Sequence, residues 1–418
     1  MEISIRICDR DPVTESAVLP EAPAALHRPG AAGYRRLNAA MGLAGLAAFG
    51  ILYATQPLLP QLSAEFGVGP TRGSLSVSAA TGALALFVLP ASAVAVRVGR
   101  VRSIGVGLLV ATVLTALAAV APTYDVLLGL RLLAGVALAG VVAVAMGHVA
   151  AEVHPRGLGA AMGLYVAGNS LGGVGGRLVT STVVDLAGWR WAVAVLAVLA
   201  LLATAGFWRL VPPSVGPPPV VRPGGLRDSL PRLLADPAVA ALVAVPFVLM
   251  GAFVATYNYL TYRLAEAPFG LPSAVLGLVF LAYLAGTVSS AVAGRLADRV
   301  GRPRVLVGAT LLMGAGVLLT LPDRLPLVVV GLVVLTVGFF GAHATASGWA
   351  PVVGARRPGL TSATYVCSYY AGSSVFGALV GLAWHADGWP ATAASLLVLV
   401  VLALCCGLAV TVLLRRRA

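Results

Sequence analysis

The sequence predicts an all-α membrane protein of twelve transmembrane helices, arranged as two pseudo-symmetric six-helix bundles. Three observations predict it. Of 418 residues 59% are hydrophobic and only 10% charged, with a mean hydropathy of +0.95. A soluble domain carries about 25% charged residues, so lipid must cover most of this surface. Apolar runs long enough to span a bilayer, about 20 residues each, recur along the chain. A short basic motif also appears twice, 202 positions apart.

The runs cover 37–60, 74–96, 103–121, 124–151, 159–184 and 190–211 in the first half, and 237–262, 272–294, 303–321, 325–349, 358–384 and 390–414 in the second. Residues 1–36 mix acidic and basic groups with Pro20, Pro23 and Pro29 and lack the apolar core of a signal peptide, which reads as a disordered tail. The longest connection, 212–236, is rich in proline (Pro212, Pro213, Pro217, Pro218, Pro219, Pro223) and reads as a flexible linker without a packed element. Residues 415–418 form a basic tail.

Arginine supplies all the basic residues and sets the topology. Gaps after odd-numbered runs hold four (Arg72, Arg190, Arg263, Arg324), whereas gaps after even-numbered runs and the membrane-proximal tails hold twenty. Positive charge stays on the inner side, so both termini are predicted cytoplasmic. Arginines scattered among short gaps form no phosphate-binding stripe, which argues against a nucleic-acid partner despite a formal charge of +13. The four cysteines (Cys8, Cys367, Cys405, Cys406) and five histidines show neither a disulfide framework nor ligand spacing, so no metal site and no cofactor are expected.

The repeat is most legible at Gly294-Arg295-Leu296-Ala297-Asp298-Arg299-Val300-Gly301-Arg302. Its partner at 92–100 keeps Arg97, Gly99 and Arg100 but has Val96 where the aspartate stands. Phe49–Tyr53 matches Phe253–Tyr257 at an offset of 204, and Tyr165 with Gly172 matches Tyr365 with Gly372 at 200. Gly294 and Gly301 permit close approach and left-handed turns, and Asp298 can accept hydrogen bonds from a helix N-terminus. Arg131 and Arg177 lie within apolar runs, where a charge is costly and faces a cavity, a partner or the interface by snorkelling. For Arg177 the nearby Asp185 makes pairing or snorkelling the favoured expectation. No Asp or Glu lies in the middle of a run; Asp125, Glu152 and Asp185 stand near run ends.

The motif Gly-x-Leu-x-Asp-Arg-x-Gly-Arg resembles the cytoplasmic loop of the major facilitator superfamily of transporters. Tyr53-Ala54-Thr55-Gln56-Pro57-Leu58-Leu59-Pro60, Tyr257-Asn258-Tyr259 and Ser368-Tyr369-Tyr370-Ala371-Gly372 resemble its bacterial arabinose-efflux-permease-like, drug-exporter-like branch. The likeness extends from about residue 36 to 414 and implies an exporter of small organic molecules working by alternating access. It implies that Asp298, with Arg299 and Arg302, latches onto the start of the fifth run near Gly157–Ala160. The worn first copy would leave closure asymmetric. Leu127-x3-Arg131-x2-Ala134-Gly135 resembles a fourth-helix motif tied to proton coupling. Gly163-x8-Gly172-x3-Gly176-Arg177 resembles the exporters' glycine motif, with Arg177 in place of the usual proline.

A solute site is expected near the midplane between the halves, from Tyr53, Gln56, Asn169, Tyr257, Asn258, His343, Tyr365, Ser368 and Tyr369. The spacing of Tyr365, Ser368 and Tyr369 predicts one shared helix face. Coupling candidates are Arg131, Arg177 and His148, with His343 and the end-of-run acids as further titrating groups. The expected function is export of a drug-like, sugar or metabolite solute across a bacterial inner membrane, with proton antiport as one mode. The alternatives are an importer or uniporter, or a non-transporting sensor of the same fold. A membrane enzyme is disfavoured because no nucleophile–base cluster is visible, so no catalytic residue is assigned. The expected partners are membrane lipid, a small solute and protons, with the single chain as the working unit.

Overall fold

The computed structural model describes residues 26–216 and 226–417. The described residues form α1 (Ala32–Leu52), α2 (Leu59–Phe66), α3 (Pro70–Val98), α4 (Arg100–Ala118), α5 (Tyr124–Glu152), α6 (Pro155–Leu210), α7 (Leu226–Leu234), α8 (Pro237–Ala265), α9 (Ser273–Leu278), α10 (Ala282–Val300), α11 (Arg302–Leu319), α12 (Leu325–Val353) and α13 (Pro358–Arg415). Short 3₁₀ turns at Gln56–Leu58 and Val279–Leu281 join α1 to α2 and α9 to α10.

Ten of the resulting segments are long and apolar enough to cross a membrane. At roughly 1.5 Å per residue, the 56 residues of α6 and 58 of α13 exceed twice the ~30 Å hydrocarbon core. Each is broken by non-helical backbone, α6 at Gly188 (φ 83°) and α13 at Asp387–Gly388 (φ −157° and 54°). Each therefore makes two crossings, and the described chain makes twelve. An even number returns both ends to one side, here named the terminal face; the opposite side is the distal face. Large apolar side chains such as Leu86, Leu186, Leu202, Val288 and Leu382 point outward, as lipid contact requires. By contrast α8 is buried along nearly its whole length.

The halves repeat in geometry as well as sequence. In the first, α1 packs on α6, α3 on α5 and α4 on α5; in the second, α8 packs on α13, α10 on α12 and α11 on α12. Gly99 (φ 91°, ψ 146°) and Gly301 (φ 91°, ψ 141°) make the same turn between α3 and α4 and between α10 and α11. This conformation is open only to glycine at little cost, which explains why the worn motif copy kept it.

Three expectations need correction. The first run is not one helix to residue 60, because the chain leaves helical geometry after Leu52 and resumes as α2. Pro57 has no N–H to continue the ladder. Residues 1–25 of the expected tail lie outside the described residues, and from residue 26 the chain is packed. His27 donates its N–H to Glu152 O (2.9 Å) and accepts from His154 N (3.0 Å), and α1 begins at Ala32 rather than 37. The linker was expected to hold no packed element, yet α7 forms there and buries Leu233 against Val239 and Val243. Residues 217–225 lie outside the described residues.

Candidate functional site

The break after α1 builds the first part of the site. Arg131, buried in α5, donates Nη1 to Ile51 O (2.8 Å), Nη2 to Leu52 O and Nε to Ser76 O (3.0 Å). It supplies donors to the last carbonyls of the interrupted helix, at the end where the dipole favours a cation. Arg131 therefore neither snorkels nor lines a cavity in this conformation; it holds the end of α1 against α3 and α5.

Beyond that end lies a polar chain joining the halves. Arg177 Nε donates to Gln56 Oε1 (2.8 Å), Gln56 Nε2 to Asn258 Oδ1 (2.8 Å), and Asn258 Nδ2 to Gly377 O (3.4 Å). Arg177 also donates to Gly173 O (2.8 Å) and to the Tyr283 hydroxyl (3.3 Å). Its guanidinium stands 4.4 Å from the ring centre of Tyr53 and 4.9 Å from those of Phe280 and Tyr283. The expected pairing with Asp185 is absent: Asp185 instead accepts from Ala274 N (2.7 Å), at the tip of the second half. Snorkelling is absent too, since Arg177 is 1% exposed. Nearby, Ser63 meets the Tyr262 hydroxyl (2.8 Å), Gln61 meets Ser273, and Tyr259 reaches Ser74 (3.2 Å). Closer to mid-membrane, Ser374 donates to Ser78 O (2.8 Å) and Cys367 to Ala85 O (3.0 Å). These cross-half bonds run from the distal face to about the middle of the crossing helices, and we call them the distal gate.

An aromatic column runs from this gate toward the terminal face through the second half. Tyr257 stacks on Phe280 (5.2 Å) and touches Tyr283 (5.1 Å), and Tyr283 meets Phe253 (5.3 Å). Phe253 stacks on Phe339 (3.8 Å), Phe339 on His343 (5.8 Å), and His343 meets Tyr369 (4.8 Å) and Tyr365 (5.7 Å). Three hydroxyls are fixed, Tyr257 by Thr336 (2.9 Å), Tyr365 by His343 Nδ1 (3.0 Å) and Tyr283 by Arg177 (3.3 Å). Tyr283, His343 and Tyr369 remain only half-buried, which leaves ring faces for a solute. Offset and edge-on pairs of this kind are favourable beyond their buried area.

The structure thus brings together Tyr53, Gln56, Tyr257, Asn258, His343, Tyr365 and Tyr369. It does not bring Ser368 or Asn169 to them. Ser368 donates to Val243 O (2.7 Å) in the α8–α13 seam, and Asn169 lies against Gly45 in the α1–α6 seam. Tyr283, Phe253, Phe280 and Phe339 were missed by sequence reading. The i, i+3 pair Phe280/Tyr283 and the i, i+4 pair Phe339/His343 were the available signals.

At the terminal face the expected latch is not engaged. Asp298 and Arg299 are exposed, and among the described residues Asp298 makes neither hydrogen bond nor ion pair. Gly157, its expected neighbour, is covered by Pro29 and by Tyr34, whose hydroxyl donates to Gly157 O (3.0 Å). Gly294 faces open space, so it serves no close approach; Gly301, with half-buried Arg302 beside it, makes the turn. In the first copy Arg97 is exposed and Arg100 half-buried beside Gly99. His148 is buried, with Nδ1 3.7 Å from Glu152 Oε1. Glu152 in turn accepts from Ser214 Oγ, Val215 N (2.7 Å) and Gly216 N (3.1 Å), fastening the start of the linker to α5.

Twelve crossings in two equivalent bundles, with the cross-half bonds among the described residues gathered toward the distal face, define a membrane transporter. Residues 41–266 match the family model of the Major Facilitator Superfamily, and the chain belongs to that family. It is 38% identical over 375 residues to the inner membrane transport protein YnfM of Escherichia coli (strain K12), covering 90% of each chain. It is 37% identical over 363 residues to the uncharacterized MFS-type transporter YybF of Bacillus subtilis (strain 168), covering 87% of this chain and 90% of that one. Among solved structures, a POT family transporter in complex with 5-aminolevulinic acid superposes with a TM-score of 0.73 at 13% identity, over 91% of this chain and 95% of that one.

Proposed function

We propose that this chain exports a small, partly apolar organic solute across a bacterial inner membrane, with the terminal face on the cytoplasmic side. The observation that carries this reading is the placement of the cross-half bonds. Among the described residues the cross-half bonds gather from the distal face to about the middle of the helices, while the aromatic column continues toward the terminal face. A solute entering from the terminal side meets Tyr365, His343 and Tyr369 first and the closed gate at Gln56, Asn258 and Arg177 last. Breaking the gate and closing the terminal face around the solute would release it distally. The arginine bias of the terminal face supports a cytoplasmic assignment, and the glycine pattern of α6 resembles that of exporters.

The test is solute movement in proteoliposomes of known orientation, across a chemical panel, with and without an imposed pH gradient. Export predicts outward movement from the terminal side, abolished by Gln56→Leu. Movement only in the opposite sense would overturn the direction, and absence of movement for every class would favour the sensor alternative. Proton antiport predicts acceleration by the gradient that His343→Gln removes, since His343 is the imidazole within the column.

A further inference from the structure

Among the described residues three arginines are buried: Arg131, Arg177 and Arg263. Arg263 has a carboxylate, with Nη2 2.7 Å from Asp323 Oδ1. Arg131 has the terminal carbonyls of α1. Arg177 has neither. Its partners are an amide, one carbonyl of its own helix and a phenol, and the donor chain it starts ends on the carbonyl of Gly377. A guanidinium carries five N–H donors, and these three bonds leave two of them unused. A buried cation without an anion is costly, and three aromatic rings offset that cost only in part.

We propose that the missing counter-ion is the solute itself: an organic anion whose carboxylate engages the two spare N–H groups of Arg177 while a flat apolar body lies among Tyr53, Phe280 and Tyr283. The inference rests on the transporter reading and narrows its solute class. Half-buried Tyr283 stands between Arg177 and the open part of the column, so its hydroxyl would give way as the carboxylate arrives. Loss of that cross-half bond would couple solute arrival to loosening of the gate.

The experiment uses purified full-length protein in lipid nanodiscs and reads thermal unfolding with 2-naphthoate or its neutral counterpart 2-naphthamide. Naphthoate is expected to raise the unfolding midpoint of the wild type, and naphthamide to leave it unchanged. Arg177→Lys should weaken the apparent naphthoate affinity by about ten-fold or more, the two-pronged contact being lost, and Arg177→Gln should abolish the response. A second readout needs no solute: Arg177→Met should raise the midpoint of the unliganded protein, whereas Arg131→Met should lower it. Equal responses to naphthoate and naphthamide, no response to either, or destabilisation by Arg177→Met like that of Arg131→Met would overturn the proposal. Charge-selective, Arg177-dependent binding of naphthoate without any solute movement in vesicles would instead sink the transporter reading and leave the anion site standing.

Discussion

Arg131 was recognisable as an intramembrane charge, but its partners were not, because they exist only where α1 breaks after Leu52. Three carbonyls lose a charged donor if the guanidinium goes, and among them Ile51 O keeps only backbone donors. Arg131→Gln is therefore expected to destabilise the protein by about 3 kcal/mol, seen as a lower unfolding midpoint. Asp236 shows the opposite situation, a carboxylate outside the membrane. It caps α8 by accepting from Ala238 N (2.9 Å) and Val239 N (3.4 Å) and binds Arg417 near the chain end. The Arg417 guanidinium holds its carboxyl below the usual carboxylate range. A depressed folded value means that this stabilisation is present above the ordinary range, near pH ~3.9, and is lost as pH falls through the folded value. Asp236→Asn keeps a capping oxygen and removes the charge. Its unfolding midpoint should fall less than that of the wild type on acidification, and parallel acid limbs would disprove the assignment.

The α1–α6 and α8–α13 seams show what a pattern of small residues does at the level of paired helices. Gly168, Gly172 and Gly176 of α6 lie directly on Gly42, Leu46 and Gly50 of α1, where any added side chain would strike backbone. In the second half Gly372 sits on Phe247, Ser368 takes the place of Gly168 against Val243, and Phe376 covers Gly251. These pairings relate α1 to α8 by an offset of 201 rather than the 204 read from the sequence, where two aromatic residues at i and i+4 made a misleading match. They also explain Ser368. Residues at i+3 and i+4 fall on opposite sides of residue i, about 100° apart around a helix, so Tyr369 turns to the column and Ser368 to α8. Gly172→Val should cost about 2–3 kcal/mol by overpacking, whereas Ser368→Gly should cost less than about 1.5 kcal/mol. Thermal unfolding of the two variants side by side decides this, and a reversed order would refute the seam assignment.

For the whole molecule, twelve crossings, two bundles and the loop glycines were legible because hydropathy and turn geometry are local properties of the chain. The distal gate was not, because its bonds pair residues from 89 to 296 positions apart. The latch was legible as a motif, but Asp298 does not engage its target in this conformation. A single sequence encodes every conformation the chain adopts, and the structure holds one in which Asp298 is exposed. Cysteines at Gly157 and Asp298 should therefore cross-link slowly in the resting protein. Gln56→Leu, which removes the central gate bonds, should speed the reaction, and an unchanged rate would argue against an alternating seam.

Glu152 gives the molecule a short leash. Its carboxylate clips residues 214–216 to the first bundle, so the connection to the second bundle is anchored to the first as far as Gly216. From Gly216 to the start of α7 at Leu226 a fully stretched chain reaches about 35 Å. Unclipping it would add slack, so the neighbouring His148 sits beside the fastening that limits how far the bundles can part.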